Sequence, residues 1–217
     1  MPADARVPLL VLGARTFAVE AADLIADTGG YELAGFVENL DRSRCGALLE
    51  GLPVFWVEDV AGMAASHRAV CALGSTARAA LIEQAAGMGF RFATIVHPTA
   101  RVSTKAVIGE GSIVSAGVVV AVKARVGRHV LLNRGALIGH NAEIGDYATI
   151  GPGANIAGFT RTGERTCVGM SAVILEGISV GSRSLVSAGA VVTRDVGDRT
   201  QVAGAPALAV KTGIDGL

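Results

Sequence analysis

The chain has 217 residues, with 19 basic and 19 acidic side chains and a formal net charge of zero at pH 7. That balance excludes attachment to nucleic acid or an anionic membrane through bulk charge. The residues are 51% hydrophobic but only 4% aromatic, a composition suited to a narrow core of Val, Ile, Leu and Ala. The cysteines, Cys45, Cys71 and Cys167, form no CxxC pair and no metal-ligand spacing; an odd number of such residues points to reduced thiols and a cytoplasmic location.

The first apolar run, Val7 to Leu12, is followed by Gly13 and then by Glu20 and Asp23. It is too short for a membrane span and lacks the flanks of a signal peptide, so it reads as a buried strand, Pro8 to Leu12, before a helix. Gly13-Ala14-Arg15-Thr16 turns into that helix, from about Phe17 to Asp27, and Gly29-Gly30 ends it. Tyr31 to Val37 is a second strand, followed by Glu38-Asn39-Leu40-Asp41 at its carboxyl end. Gly51 to Phe55 leads a third strand, Val57 to Ala65 a helix, and Ala69 to Leu73 a fourth strand ending in Gly74-Ser75-Thr76. Thr76 to Gly87 is helical and Phe92 to Val96 is a last strand. This alternation predicts a small, Rossmann-like, doubly wound parallel sheet over residues 1–96. Ligands of such sheets bind beyond the carboxyl ends of the strands, and the helix start after Gly13 offers free N–H groups to a phosphate. The GxGxxG dinucleotide fingerprint is absent. A mononucleotide or nucleotide sugar and a purely steric βα turn are both compatible with that loop.

His97-Pro98-Thr99 joins this domain to a repeat. Every sixth residue from Val102 to Val192 is aliphatic at fifteen of sixteen positions, with Thr162 the exception. The residue two places earlier is mostly Ala or Ser, and the residue after is often Gly. A six-residue period matches neither an amphipathic helix nor a lone strand and is that of a parallel β-helix. Three hexads make one triangular coil, so residues eighteen apart stack. Aliphatic side chains fill the prism, and Gly relieves positive φ or crowding at corners. The β-helix covers residues 97–195. The repeat stops after Asp195, leaving 196–217 as a cap and tail.

A β-helix can be purely structural, so function must come from side chains that break its pattern. His140 is one; Gly158, eighteen residues on, leaves a gap beside its imidazole where a thioester could lie, with a backbone N–H to hold an oxyanion. Histidine as a residue type titrates close to neutrality and suits general-base work. Asn133, one hexad earlier, is the second outward polar residue. His129 is placed to stack under Tyr147, and His97 and His67 read as a junction and a helix-end residue.

The segment Asn133-Arg134-Gly135-Ala136-Leu137-Ile138-Gly139-His140-Asn141-Ala142-Glu143-Ile144-Gly145, with Val96-His97-Pro98-Thr99-Ala100 and Gly204-Ala205-Pro206-Ala207, resembles the nucleotide-sugar acetyltransferases of the left-handed β-helix class. That group includes the UDP-amino-sugar and GDP-perosamine N-acetyltransferases and the sialic acid O-acetyltransferases. The resemblance implies a homotrimer, with acetyl-CoA as acyl donor lying between neighbouring β-helices and a nucleotide-linked amino sugar held by the N-terminal domain. It implies that His140 is the base, that Asn141 orients it, that Asn133 positions the acceptor and that Gly158 polarises the thioester. Thr149, Met170 and Ala188 fall where family members contact CoA. Gly13, Arg15, Thr16, Phe17, Glu38, Asn39, Gly74 and Ser75 fall where they contact the nucleotide. Arg161, Arg165, Arg183, Arg194, Arg199 and Lys211 are candidate partners of the CoA phosphates or a solvated face.

The family usually carries Glu or Asp where this chain has Asn141, which can orient a ring but adds no charge to stabilise an imidazolium. The first loop, Gly13 to Phe17, also departs from the family's Gly-rich, His-containing pattern. Sugar N-acetylation is the leading expectation. O-acetylation of the sialic acid type and a non-catalytic, trimeric nucleotide-sugar-binding scaffold are the alternatives.

Overall fold

The computed structural model describes residues 6–75 and 78–216. The chain divides into two compact units, Met1–Ile95 and Val96–Leu217.

The first unit is an α/β sheet. Its strands are β1 (Val7–Leu12), β2 (Tyr31–Glu38), β3 (Leu48–Leu49), β4 (Leu52–Trp56), β5 (Arg68–Cys71) and β6 (Arg91–Phe92), in the order β3-β4-β2-β1-β5-β6. All neighbours are parallel except β3, which makes an antiparallel hairpin with β4. Leu9 to Leu12 of the central β1 are fully buried, as expected of an unbroken apolar run covered on both faces. Helix α1 (Thr16–Thr28) buries Ala18, Ala21, Leu24 and Ile25 and ends on Gly29 in the left-handed conformation, φ 69°, the usual helix stop. Helix α2 (Arg78–Gly87) follows β5; Thr76, where the sequence starts that helix, lies outside the described residues.

Two local expectations need correction, and one strand was not expected. Val57–Met63 is a 3₁₀ turn instead of an α-helix; seven residues bounded by Trp56 are too few to repay helix nucleation. The hairpin strand β3 carries no alternating pattern and is not legible in the sequence. Phe92 to Val96 is two strands: β6 closes the α/β sheet, whereas Ile95–Val96 stands at the end of an eight-stranded ladder beside Ile113–Val114.

The second unit is a left-handed parallel β-helix. Two-residue strands recur every six residues from Arg101–Val102 to Val191–Val192, and partners are eighteen apart, as in Val119↔Leu137 and Leu137↔Asn155. The three faces carry Leu131–Leu132, Leu137–Ile138 and Glu143–Ile144 in turn. The inward aliphatics and the small residues two places before them form one continuous core. Where the small residue is polar it is buried but satisfied: Ser112, Thr166 and Ser184 hydroxyls donate to the Gly127, Gly181 and Gly197 carbonyls at 2.8–2.9 Å.

Corner geometry separates two roles. The Gly that follows an inward aliphatic is there for crowding: a Cβ on Gly139 would lie 2.5 Å from Ala157 C and Gly158 N. Positive φ falls two residues later, at every sixth position from Gly111 to Gly189, and is taken by Lys123, His129, Asn141, Tyr147, Phe159, Arg165, Ser171 and Arg183 as well as by Gly. Side chains there are aimed outward at a cost of roughly 1–2 kcal/mol each, least for Asn.

The repeat does not stop at Asp195. It slips phase: Val196 bridges Val180, and Thr200–Ala203 pairs with Leu185–Val186 at a spacing of sixteen. Val196 and Val202 are buried and complete the core. Leu208–Thr212 then folds back antiparallel on Thr200–Ala203, with Gly204 to Ala207 as the turn and Ala207 N–H donating to the Val191 carbonyl at 2.7 Å.

Candidate active site

His140 projects from the corner between the Leu137 and Glu143 faces and is exposed. Its ring lies against Gly158 on the next coil. A Cβ there would stand 2.6 Å from His140 Cε1 and 2.8 Å from Nε2, so only Gly leaves the imidazole its place. His140 Nδ1 faces Asn141 Oδ1 at 3.4 Å, a long hydrogen bond. With Nδ1–H donating, Nε2 is the basic nitrogen, on the ring edge that faces Gly158. Asn141 sits at a positive-φ position, φ 59°, which Asn tolerates well.

The Gly158 N–H donates to no acceptor among the described residues. At the equivalent place on another corner such an N–H is captured: Arg128 N–H by Asp146 Oδ1 at 2.8 Å and Ser182 N–H by Asp198 Oδ1 at 2.7 Å. The corner at His140 therefore sets an exposed imidazole beside an open N–H donor. Phe159, which the sequence reading missed, follows Gly158 at φ 55° and meets His140 edge-on, with centroids 5.1 Å apart.

Asn133 is not brought to His140 within one chain. One hexad is one third of a coil, so Asn133 lies at the preceding corner, where its amide donates to the Ile150 carbonyl at 2.9 Å. Met170 and Ala188 share that corner and are exposed, and Thr149 is buried on the Leu131 face beside it. His129 stacks on Tyr147 at 5.3 Å, as its spacing predicts, but is buried instead of lying on the surface. Arg128 and Asp146 form a two-pronged ion pair at 2.8–3.0 Å. Burial alone would raise the Asp146 pKa, but the Arg128 N–H and guanidinium outweigh it and hold the carboxyl below its ordinary range.

In the α/β unit, Gly13, Glu38-Asn39 and Gly74-Ser75 collect at the carboxyl edge formed by β1, β2 and β5, the switch point of such a sheet. Gly13 has φ 119°, and a Cβ on it would meet the Ala72 carbonyl at 3.1 Å. Arg15 caps α1 without a side-chain bond. Arg15 and Thr16 are exposed and Phe17 is half-buried. A cleft of about 1020 Å³ opens beside them, lined by Arg15, Thr16, Arg44 and an apolar floor that includes Val19 and Leu52. Gly13, Phe17, Glu38, Asn39, Gly74 and Ser75 do not line it. Glu38 is buried, its Oε1 accepting from Asn39 and Leu40 N–H at 2.9 Å each, and Arg44 Nε approaches its Oε2 at 3.9 Å. Its carboxylate shapes the loop after β2. Arg78, also missed, is buried, with Nη1 donating to the Ser75 carbonyl at 3.1 Å. Burial raises the Cys71 thiol to about 11, so no nucleophile arises there.

Among the described residues no cluster could hold a metal ion and no helix is long and apolar enough to cross a membrane.

Residues 123–158 match the family described as bacterial transferase hexapeptide (six repeats), and residues 160–194 match the hexapeptide repeat of succinyl-transferase. Comparison with curated protein sequences gives no match. Solved structures do. The acetyltransferase domain of PglB from Neisseria gonorrhoeae FA1090, in complex with acetyl coenzyme A, is 32% identical, covering 95% of this chain and 100% of that one, with a TM-score of 0.85. This chain belongs to the nucleotide-sugar acetyltransferases of the left-handed β-helix class. Members of that class similar to this acetyltransferase include PerB from Caulobacter crescentus, solved with CoA and GDP-perosamine. It is 29% identical over 96% of this chain and 99% of its own, with a TM-score of 0.86. A variant of the Caulobacter perosamine N-acetyltransferase with a histidine exchanged for asparagine is 27% identical, covers 96% of this chain and 98% of its own, and has a TM-score of 0.87.

Proposed function

We propose that this acetyltransferase moves the acetyl group of acetyl-CoA to the amino group of a nucleotide-linked amino sugar, with His140 as general base. The observation that carries the reading is the stacking of the His140 imidazole against Gly158 on the next coil, whose N–H donates to no described residue. The relatives' complexes with acetyl-CoA, CoA and GDP-perosamine support the choice of donor and acceptor.

In this mechanism the acceptor amine attacks the thioester carbonyl directly. His140 Nε2 accepts the proton that the nitrogen loses, and the Gly158 N–H donates to the oxyanion of the tetrahedral intermediate. Collapse expels the CoA thiolate, which takes up the proton, leaving the amide and free CoA. No acyl-enzyme forms. Asn141 Oδ1 orients the ring through Nδ1–H without supplying a counter-charge.

Asn133, Thr149, Met170 and Ala188 lie at or beside the preceding corner, so they reach the same donor only if another copy of the chain supplies them. A homotrimer does this by setting one corner of each prism against the next. The carboxyl edge of the α/β sheet, with Gly13, Arg15, Thr16, Phe17, Asn39, Gly74 and Ser75, would hold the nucleoside end of the acceptor.

Mass spectrometry of products from acetyl-CoA and a panel of nucleotide-linked amino sugars tests the reading. One acceptor should gain a single acetyl group on nitrogen. Acetylation confined to hydroxyl groups, or none with any member, overturns it.

A further inference from the structure

A depression of about 330 Å³ opens beside Asn141, lined by Lys105, Val107, Lys123, Arg125, Asn141 and Glu143. Among the described residues, no carboxylate lies within ion-pair distance of Lys105, Lys123 or Arg125. Several arginines of the β-helix do have acidic partners. Arg128 is held by Asp146, Arg161 by Glu143 and Arg183 by Glu164 and Asp215. Glu143, the one acid of the depression, already faces Arg161 at 3.6 Å. Three like charges therefore share one concave patch in a chain whose net charge is zero. Their repulsion is imposed by the ladder, because Lys123 stacks under Asn141 and Lys105 under Lys123.

The patch lies on a definite side of the base. Gly158, the oxyanion donor, is one coil beyond His140, whereas the cations lie on the coils before it. Coils are about 4.8 Å apart, so Lys123 and Lys105 stand one and two spacings from Asn141. A hexopyranose spans that interval between a ring amine and its anomeric phosphate. An amine at His140 Nε2, attacking a carbonyl held by Gly158, leaves the rest of its sugar pointing toward the cations.

We propose that Lys105, Lys123 and Arg125 form a diphosphate-binding subsite that takes the phosphates of the acceptor. This rests on the acceptor reading above. Lys ammonium groups supply point charges, and Arg125 supplies a planar fork suited to phosphate oxygens. CoA also carries a diphosphate, so the chemistry has two possible sources, and the test separates them.

The test compares wild type with a Lys123→Gln/Arg125→Gln variant. Binding of inorganic pyrophosphate, followed by titration calorimetry, should weaken at least tenfold in the variant; unchanged binding overturns the subsite without reference to turnover. In kinetics the variant should raise the acceptor KM about 10- to 100-fold, the share of one or two charge-assisted contacts, with kcat and the acetyl-CoA KM unchanged. A rise in the acetyl-CoA KM instead assigns the diphosphate to CoA and overturns the proposal. Loss of assembly in sedimentation also overturns it, since the cations would then serve a subunit contact. A wild-type protein that binds pyrophosphate through these residues yet acetylates no nucleotide amino sugar leaves the subsite standing and removes the acceptor reading.

Discussion

Phe159 meets the imidazole of His140 edge-on, with ring planes at 86° and centroids 5.1 Å apart. An aromatic residue at φ 55° is costly for the backbone, and the only ring it touches among the described residues is that of His140. Such a pair contributes about 0.5–1.5 kcal/mol. Phe159→Gly should relieve the backbone, leave the melting temperature equal or higher, and lower kcat roughly 2- to 10-fold. An unchanged kcat would show that the ring does not position the base.

His140→Ala should lower turnover by about 10²–10⁴-fold while leaving stability intact, because an exposed side chain fills no core. Gly158→Ala should also lower turnover, by at least about tenfold, since its Cβ would stand 2.6 Å from His140 Cε1 and displace the imidazole. Near-full acetylation by His140→Ala would move the chemistry elsewhere.

Asn141 is the place to add the missing charge. Asp tolerates positive φ about as well as Asn, so Asn141→Asp tests the electrostatics with little backbone cost, whereas Glu would add strain. A carboxylate beside the ring favours the imidazolium. The base then stays protonated to higher pH, and the acidic limb of the kcat/KM profile should move upward, with a modest gain on the plateau. A limb that moves down or stays fixed contradicts Asn141 as the neighbour that tunes His140.

Asp146 links stability to pH. The Arg128 contacts, outweighing burial, hold its folded pKa below the ordinary carboxylate value of 3.8. Its stabilisation is therefore complete above that ordinary value and is lost as pH falls through the folded pKa. Both side chains are partly exposed, so Asp146→Asn should cost at most about 1 kcal/mol at neutral pH. Denaturation midpoints of variant and wild type should converge in strong acid; a gap that widens there would reverse the assignment.

Thr162 is the one polar residue in the inward aliphatic column, and its buried Oγ1 finds no partner among the described residues. Thr162→Val removes that unsatisfied hydroxyl at nearly constant volume. Stability should rise by about 1 kcal/mol, read as a higher melting temperature. A lower one would mean that the hydroxyl is satisfied in solution.

The six-residue period determined the β-helix, because it is local: each hexad places one aliphatic inward whatever lies elsewhere in the chain. The stacking of His140 against Gly158 and of His129 under Tyr147 followed by counting eighteen. The β-α alternation before Val96 was legible for the same reason, since Gly13 and Gly29 mark the turns that flank a helix with a periodic apolar face. Only the tertiary structure decided what lies around those elements. Asn133 and His140 read as neighbours in sequence, but a third of a coil separates them, and Asn133 turns to the Ile150 carbonyl. Val196 and Val202 rejoin the core after a phase slip that no strict period anticipates. Glu38 turns its carboxylate onto its own loop, because two N–H groups there need an acceptor. Phe159 became part of the site because positive φ at its corner aims the side chain across one coil spacing at His140, a direction set by backbone geometry and not by residue type.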